Sequence, residues 1–173
     1  IKKKNVIKVL PPIKMASKIS VTGNIAILAT HATIKSKKLS EFIKKNKLAR
    51  RINIKKINAS KLVQLVESVK FIDDKNLCKR TINKVLSREF SKYNIDVAML
   101  SSTHLPFLLS FFNKQFPTVN FLDPGQEVAD KVRKTVKKPS KRNSMKIFTS
   151  AKPEKFQKDL SKIGIKQKVT FLN

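Results

Sequence analysis

Residues Asn94 to Pro106 read N-I-D-V-A-M-L-S-S-T-H-L-P, and this stretch decides the fold. Ile95, Val97, Met99 and Leu100 form a short apolar run, too brief for an ordinary helix, which predicts a buried strand. Four polar residues follow, Ser101-Ser102-Thr103-His104. Leu105, Leu108, Leu109 and Phe112 then recur at helical spacing, with Pro106 in the first turn, where its missing N–H costs little. Strand, polar turn, helix is the repeating unit of an open α/β sheet, and ligands bind at such turns, outside the carboxyl ends of the strands.

Upstream the same grammar repeats. Ile25 to Leu28 is a second buried-strand run, ending in Thr30-His31-Ala32-Thr33. A helix is predicted from Ile34 to about Leu48, with Thr33 as its cap. Ile52, Ile54 and Ile57 alternate with polar residues, as in a half-buried strand. Helices are predicted from Ser60 to Val69 and from an Asp73 cap to about Tyr93. Near the start, Val6 to Leu10 is expected as a short strand and Ile13 to Ile19 as a helix. Downstream, Asn120 to Leu122 reads as a strand, and Asp123-Pro124-Gly125-Gln126-Glu127 as a helix start. The end reads as strand, helix, strand around Ile147, Phe156 and Val169. The fold class is therefore α/β, a mostly parallel sheet flanked by helices.

Charge is the second strong signal. Thirty-nine Lys and Arg stand against eleven Asp and Glu, a formal net charge of +28 in 173 residues. Such a chain repels itself unless a polyanion neutralises it, and nucleic acid is the expected partner. The bases concentrate in two stretches. Lys35, Lys37, Lys38, Lys44, Lys45, Lys47, Arg50, Arg51, Lys55 and Lys56 are interrupted only by Glu41, and Lys131, Arg133, Lys134, Lys137, Lys138, Lys141, Arg142 and Lys146 by no acid. Both are predicted to contact RNA phosphates. The second includes K-K-P-S-K-R-N-S, which reads as a basic loop at about 134–146. The 40% hydrophobic content supports a core, so the charge does not imply disorder.

Several functions find no signal. One cysteine, Cys78, permits no internal disulfide. No apolar run reaches the length of a membrane span. There is no glycine-rich phosphate loop and no zinc-like spacing of Cys and His, and no cofactor is expected. Ser102 and His104 invite a Ser–His pair, but two residues at a helix start rarely reach that geometry, and the G-x-S-x-G elbow is missing.

Leu100 to Pro106, L-S-S-T-H-L-P, resembles the second active-site motif of the glutamate racemases, which usually reads L-G-C-T-H-Y-P. In order along the chain, Asn24–Ser36 is similar to that family's strand and G-T-x-x-T-I-x-S turn. Asn58–Ser68 is similar to its A-C-P-x-L-V-x-L-V-E-x-G segment. Val119–Val132 is similar to its I-D-S-G-x-x-x-A run, and Met145–Leu160 to its closing F-x-T-x-x-P-x-x-F segment. The resemblance implies a racemase-like domain over residues 1–118 and a remnant of the other racemase domain over 119–173. It implies ancestral catalytic positions at Ser102 and His104, substrate contacts at Thr33 and Thr103, and a place for Glu67 near the pocket.

The family's D-S-G-x-G turn and its first catalytic cysteine are not among these residues, and Ser102 stands where the second cysteine belongs. A thiol with a pKa of about 8.5 is readily tuned to move a proton, whereas a hydroxyl needs a separate base. The expected function is thus a catalytically inactive racemase-like protein. It would be a basic RNA-binding component of a ribosomal particle, contacting rRNA and neighbouring proteins, in the mitochondrial matrix or the cytoplasm. The alternative is a glutamate racemase or its C-terminal fragment, interconverting L- and D-glutamate for cell-wall synthesis.

Overall fold

Five consecutive residues of the strand β1 (Asn24–Ala29), Ile25 to Ala29, are completely buried, and so are all four of β3 (Val97–Leu100). Only a strand covered on both faces buries every side chain, and the computed structural model, which describes residues 6–46, 52–136 and 144–172, shows that cover. Strands β2 (Asn53–Asn58), β1, β3 and β4 (Asn120–Leu122) form, in that order, a parallel sheet. Ile25 is opposite Ile54 on one side and Val97 on the other.

One face of the sheet presents Ile25, Ile27, Ala29, Val97 and Met99 to Ile13 and Ala16 of α1 (Ile13–Ile19) and to Leu39 of α3 (Lys37–Asn46). Alternate residues, Ala26, Leu28, Ala98 and Leu100, face the opposite layer. That layer comprises α4 (Ser60–Glu67), the short α5 (Lys70–Asp73), the long α6 (Lys75–Tyr93), a 3-10 turn (Leu105–Leu108) and α7 (Leu109–Gln115). Leu62, Ile82, Leu86, Leu105, Leu108 and Phe112 are fully buried there.

Asp96 secures the turn into β1. Its carboxylate accepts from Ser20 Oγ at 2.6 Å and from the Val21 and Thr22 amides at 2.6 and 2.9 Å. Burial alone would raise its pKa, but these hydrogen bonds outweigh burial and hold it below the ordinary carboxylate value. Asn94 closes α6 at φ 47°, a left-handed conformation that asparagine tolerates. Val69, at φ 58°, adopts the same region against the preference of a β-branched residue.

Several expectations change. Val6 to Leu10 form no strand. The helix expected over 34–48 is two helices, α2 (His31–Lys35) and α3, parted at Ser36. Thr33 lies inside α2 and caps nothing. Thr30 accepts from the Thr33 amide at 3.4 Å, and Ser36 accepts from the Leu39 amide at 3.2 Å. The cap of α6 is Asp74, which accepts from the Leu77 amide at 2.8 Å, one residue after the expected Asp73.

By compactness the chain divides into two units at Thr135/Val136. Strand β4 is held in the first unit because the Asn120 amide donates to the Asp96 carbonyl at 2.8 Å and Phe121 stacks on Phe112 at 5.0 Å. The helix α8 (Gly125–Thr135) completes that unit, begun by an Asp123 carboxylate that accepts from the Gly125 amide at 2.8 Å.

The second unit contains β5 (Ile147–Thr149), α9 (Pro153–Lys162) and β6 (Val169–Phe171), a small parallel β-α-β arrangement. Gly164, at φ 86°, turns the chain out of α9, and the Ile165 amide donates back to the Leu160 carbonyl at 3.0 Å.

Candidate functional site

Sheet topology selects the place. From β1 the chain leaves to β2 on one side and continues to β3 on the other, so the strand order reverses between β1 and β3. The crevice beyond their carboxyl ends is the usual ligand position in such sheets. The turns after these strands, 30–36 and 101–104, meet there. They line a pocket of about 310 Å³, with Thr33, Ser36 and Lys38 on one wall, Ser101, Ser102 and Thr103 on another, and Val9, Leu10 and Pro11 on a third. Ser101 Oγ is buried and has no hydrogen-bond partner among the described residues.

Ser102 and His104 do meet, against the expectation from their spacing. Ser102 Oγ is 3.3 Å from His104 Nδ1, and it also accepts from the His104 amide at 3.3 Å. The reason is local: His104 is already helical, at φ −85° and ψ −37°, which folds the turn back over Ser102. Beyond the ring, His104 Nε2 is 3.6 Å from Glu67 Oε1 at the end of α4, an ion-pair distance, too long for a hydrogen bond. Both side chains are partly solvated, 37% and 56% exposed. The arrangement holds an imidazole against a hydroxyl, with a carboxylate on the far nitrogen to steady it. The chain's one thiol, Cys78, is elsewhere, buried in α6 and pushed up to about 11 by that burial.

Among the described residues, the basic side chains of the first stretch face in more than one direction. Lys35 ends α2, and Lys37, Lys38, Lys44 and Lys45 lie along the exposed side of α3, with only Lys38 reaching the pocket. Lys55 and Lys56 are neighbours on β2, and a strand sends neighbours to opposite faces. Lys56 Nζ donates to Ser40 Oγ of α3 at 3.1 Å, while Lys55 Nζ lies 3.6 Å from the centre of the Tyr93 ring, on the α6 side. On α8, Lys131 pairs with Glu127 and Arg133 with Asp130, so two of the expected phosphate ligands already have counter-charges. Lys134 and Lys146 are exposed. Lys47, Arg50, Arg51, Lys137, Lys138, Lys141 and Arg142 lie outside the described residues, as does most of the expected loop at 134–146.

Reading the sequence alone missed Ser36, Ser101 and the Val9–Pro11 segment as parts of the pocket, and did not join Glu67 to His104. Among the described residues, no cluster of three or more His, Cys, Asp or Glu side chains could hold a metal ion, and no helix is long and apolar enough to cross a membrane.

No family model matches the chain. Among curated proteins it is similar to the glutamate racemase of Actinobacillus pleuropneumoniae serotype 7, 30% identical over 159 residues, which cover 88% of this chain and 58% of that protein. It is also 30% identical to the glutamate racemase of Bartonella tribocorum over 128 residues, 72% of this chain and 45% of that protein. The chain is glutamate-racemase-like. It spans about half the length of the curated relatives it matches. Solved glutamate racemases show the same fold. The Escherichia coli enzyme, crystallised with L-glutamate and the activator UDP-MurNAc-Ala, superposes with a TM-score of 0.79 at 21% identity, over 96% of this chain and 64% of that one. An enzyme of Bacillus anthracis superposes with a TM-score of 0.77 at 18% identity, over 92% and 61%. The racemase-like α/β architecture, a mostly parallel sheet flanked by helices, is thereby shown.

Proposed function

We propose that the pocket at the carboxyl ends of β1 and β3 binds glutamate, and that this glutamate-racemase-like chain supplies one face of an amino-acid isomerase site. The observation that carries the reading is the convergence of Thr33, Ser102 and Thr103, the positions the racemase resemblance marks, on one pocket. Hydroxyls at Thr33 and Thr103 suit the amino-acid group, and the Lys38 ammonium on the same wall suits a carboxylate. Ser102, backed by His104 and Glu67, occupies the proton-transfer position on one side of the α-carbon. A hydroxyl is a poorer proton carrier than a thiol, and no thiol lines the pocket, so racemisation needs an acid on the opposite face from elsewhere.

Calorimetric titration of the chain with L- and D-glutamate tests this. Binding of either enantiomer, weakened at least about tenfold by Thr33→Val, is the expected result. No heat with either at millimolar concentration overturns it. On turnover, α-proton exchange in deuterated water is expected at the buffer background, and Ser102→Cys alone is not expected to restore racemisation.

The charge of +28 favours a second reading, an RNA-binding component of a ribosomal particle in the mitochondrial matrix or cytoplasm. Sedimentation of the native protein with ribosomal particles supports it, and a free, RNA-less protein in the same gradient counts against it.

A further inference from the structure

Away from the glutamate pocket, and sharing no lining residue with it, lies a cleft of about 450 Å³ between α5, α6, the 3-10 turn and α7. Three features converge there. First, Gln115 lines the cleft, and both its Nε2 and its Oε1 are buried without a hydrogen-bond partner among the described residues. A buried amide with neither end satisfied is destabilising until something brings a donor and an acceptor side by side. Second, Lys75 and Lys79 stand one turn apart on α6 and share the cleft with Lys114 of α7. Like charges four residues apart on a helix repel, and an anion between them reverses the sign. Third, Phe107 is 46% exposed, the one phenylalanine of the first unit so exposed among the described residues, and its ring tilts against Phe71 at 6.1 Å. Asp74, the acid beside Lys75, accepts from the Leu77 amide as the helix cap.

We infer that this cleft binds a nucleoside phosphate, its base stacked on Phe107 and read by the Gln115 amide, its phosphate held by Lys75, Lys79 and Lys114. A base offers what the amide lacks, a hydrogen-bond donor next to an acceptor, as adenine does with N6 and N7. An aromatic face takes any base, and ammonium groups take the phosphate. The same chemistry comes from a free nucleotide or from one nucleotide of single-stranded RNA. The inference does not depend on the glutamate reading, because the two sites are separate.

The test titrates the full chain with AMP, UMP, inorganic phosphate, the octamers rA8 and rU8, and an oligoglutamate peptide. A nucleotide is expected to bind at least about tenfold more tightly than inorganic phosphate, because stacking adds to the charge term. An octamer far tighter than its mononucleotide assigns the cleft to RNA, and equal affinity assigns it to a free nucleotide. Phe107→Ala and Gln115→Leu should each weaken binding at least about fivefold, and Phe107→Tyr should retain it. In the unsubstituted chain, nucleotide should shift the Gln115 side-chain amide resonances in a nitrogen–proton spectrum. The inference is overturned if phosphate or the peptide binds as well as the nucleotides, if none of them binds, or if the shifts centre on α3 instead.

Discussion

The two compact units are made of the same kinds of element and hold them by different means. In the first, β1 and β3 are buried on both faces, and large side chains such as Phe112 and Leu28 are fully enclosed. In the second, two three-residue strands carry Phe148 and Phe171 at 52% and 51% exposure, α9 has no buried residue, and Val169 is the buried member of β6. Parallel strands need cover on both faces, and short ones provide little ladder. The first unit therefore derives its order from burial. The second relies on local bonds: the turn at Gly164 and the Gln157 side chain, which accepts from the Val169 amide at 2.9 Å.

Hydrogen exchange offers the sharpest way to break this contrast. Amides of Ile27 and Met99 should open only with global unfolding. Those of Phe148 and Thr170 should exchange roughly a thousandfold faster, because local opening there breaks few buried contacts. Equal protection in both units would end the distinction.

Truncation gives the next largest effect. Leu28→Ala or Leu100→Ala should cost about 2–5 kcal/mol in urea unfolding, the range for emptied core sites. Phe171→Ala, half exposed, should stay within about 1 kcal/mol. A larger cost at Phe171 would show that the second unit hides a core of its own.

Asp96 tests the first unit's polar support. Asp96→Ala should remove roughly 2 kcal/mol, the scale of hydrogen bonds to a charged group. The pH dependence follows from its lowered pKa. The folded state holds this proton less tightly than the unfolded one, so the contribution is complete above the unfolded value of 3.8 and disappears as pH falls through the folded value. Acid titration of stability in the variant should be flatter than in the parent below that point. Identical acid limbs would mean that the carboxylate is not a determinant.

Surface charge should matter least for folding. Lys37, Lys44 and Lys45 are exposed along α3, and their joint replacement by Gln should change stability by no more than about 0.5 kcal/mol. If they contact single-stranded RNA, the same change should reduce the logarithmic salt slope of binding by about 2, from three lost phosphate contacts. An unchanged slope would remove α3 from the RNA-binding reading.

Much of the first unit was legible from residue order. The runs 25–28 and 97–100 announced buried strands because nothing polar interrupts them, and the polar turn at 101–104 marked the carboxyl end of β3, where a pocket lies. The helix around α2 and α3 was misjudged because the apolar spacing runs through Ser36, while the break depends on a hydroxyl that donates to the Thr33 carbonyl at 2.9 Å and accepts from the Leu39 amide. The pairing of β4 with β3 was not legible, because a three-residue strand declares no partner.

The sequence by itself determined the α/β class, the racemase resemblance, the excess of positive charge and the serine at 102 where the racemase motif it resembles reads cysteine, since each is a property of residue identity and order. Only the tertiary structure decided that Glu67 reaches His104 across 37 positions, that Lys55 and Lys56 serve opposite faces, and that the Gln115 amide is buried without a partner. Those facts depend on which helix packs over which strand, and that packing follows from burying two faces of one sheet at once rather than from any local pattern.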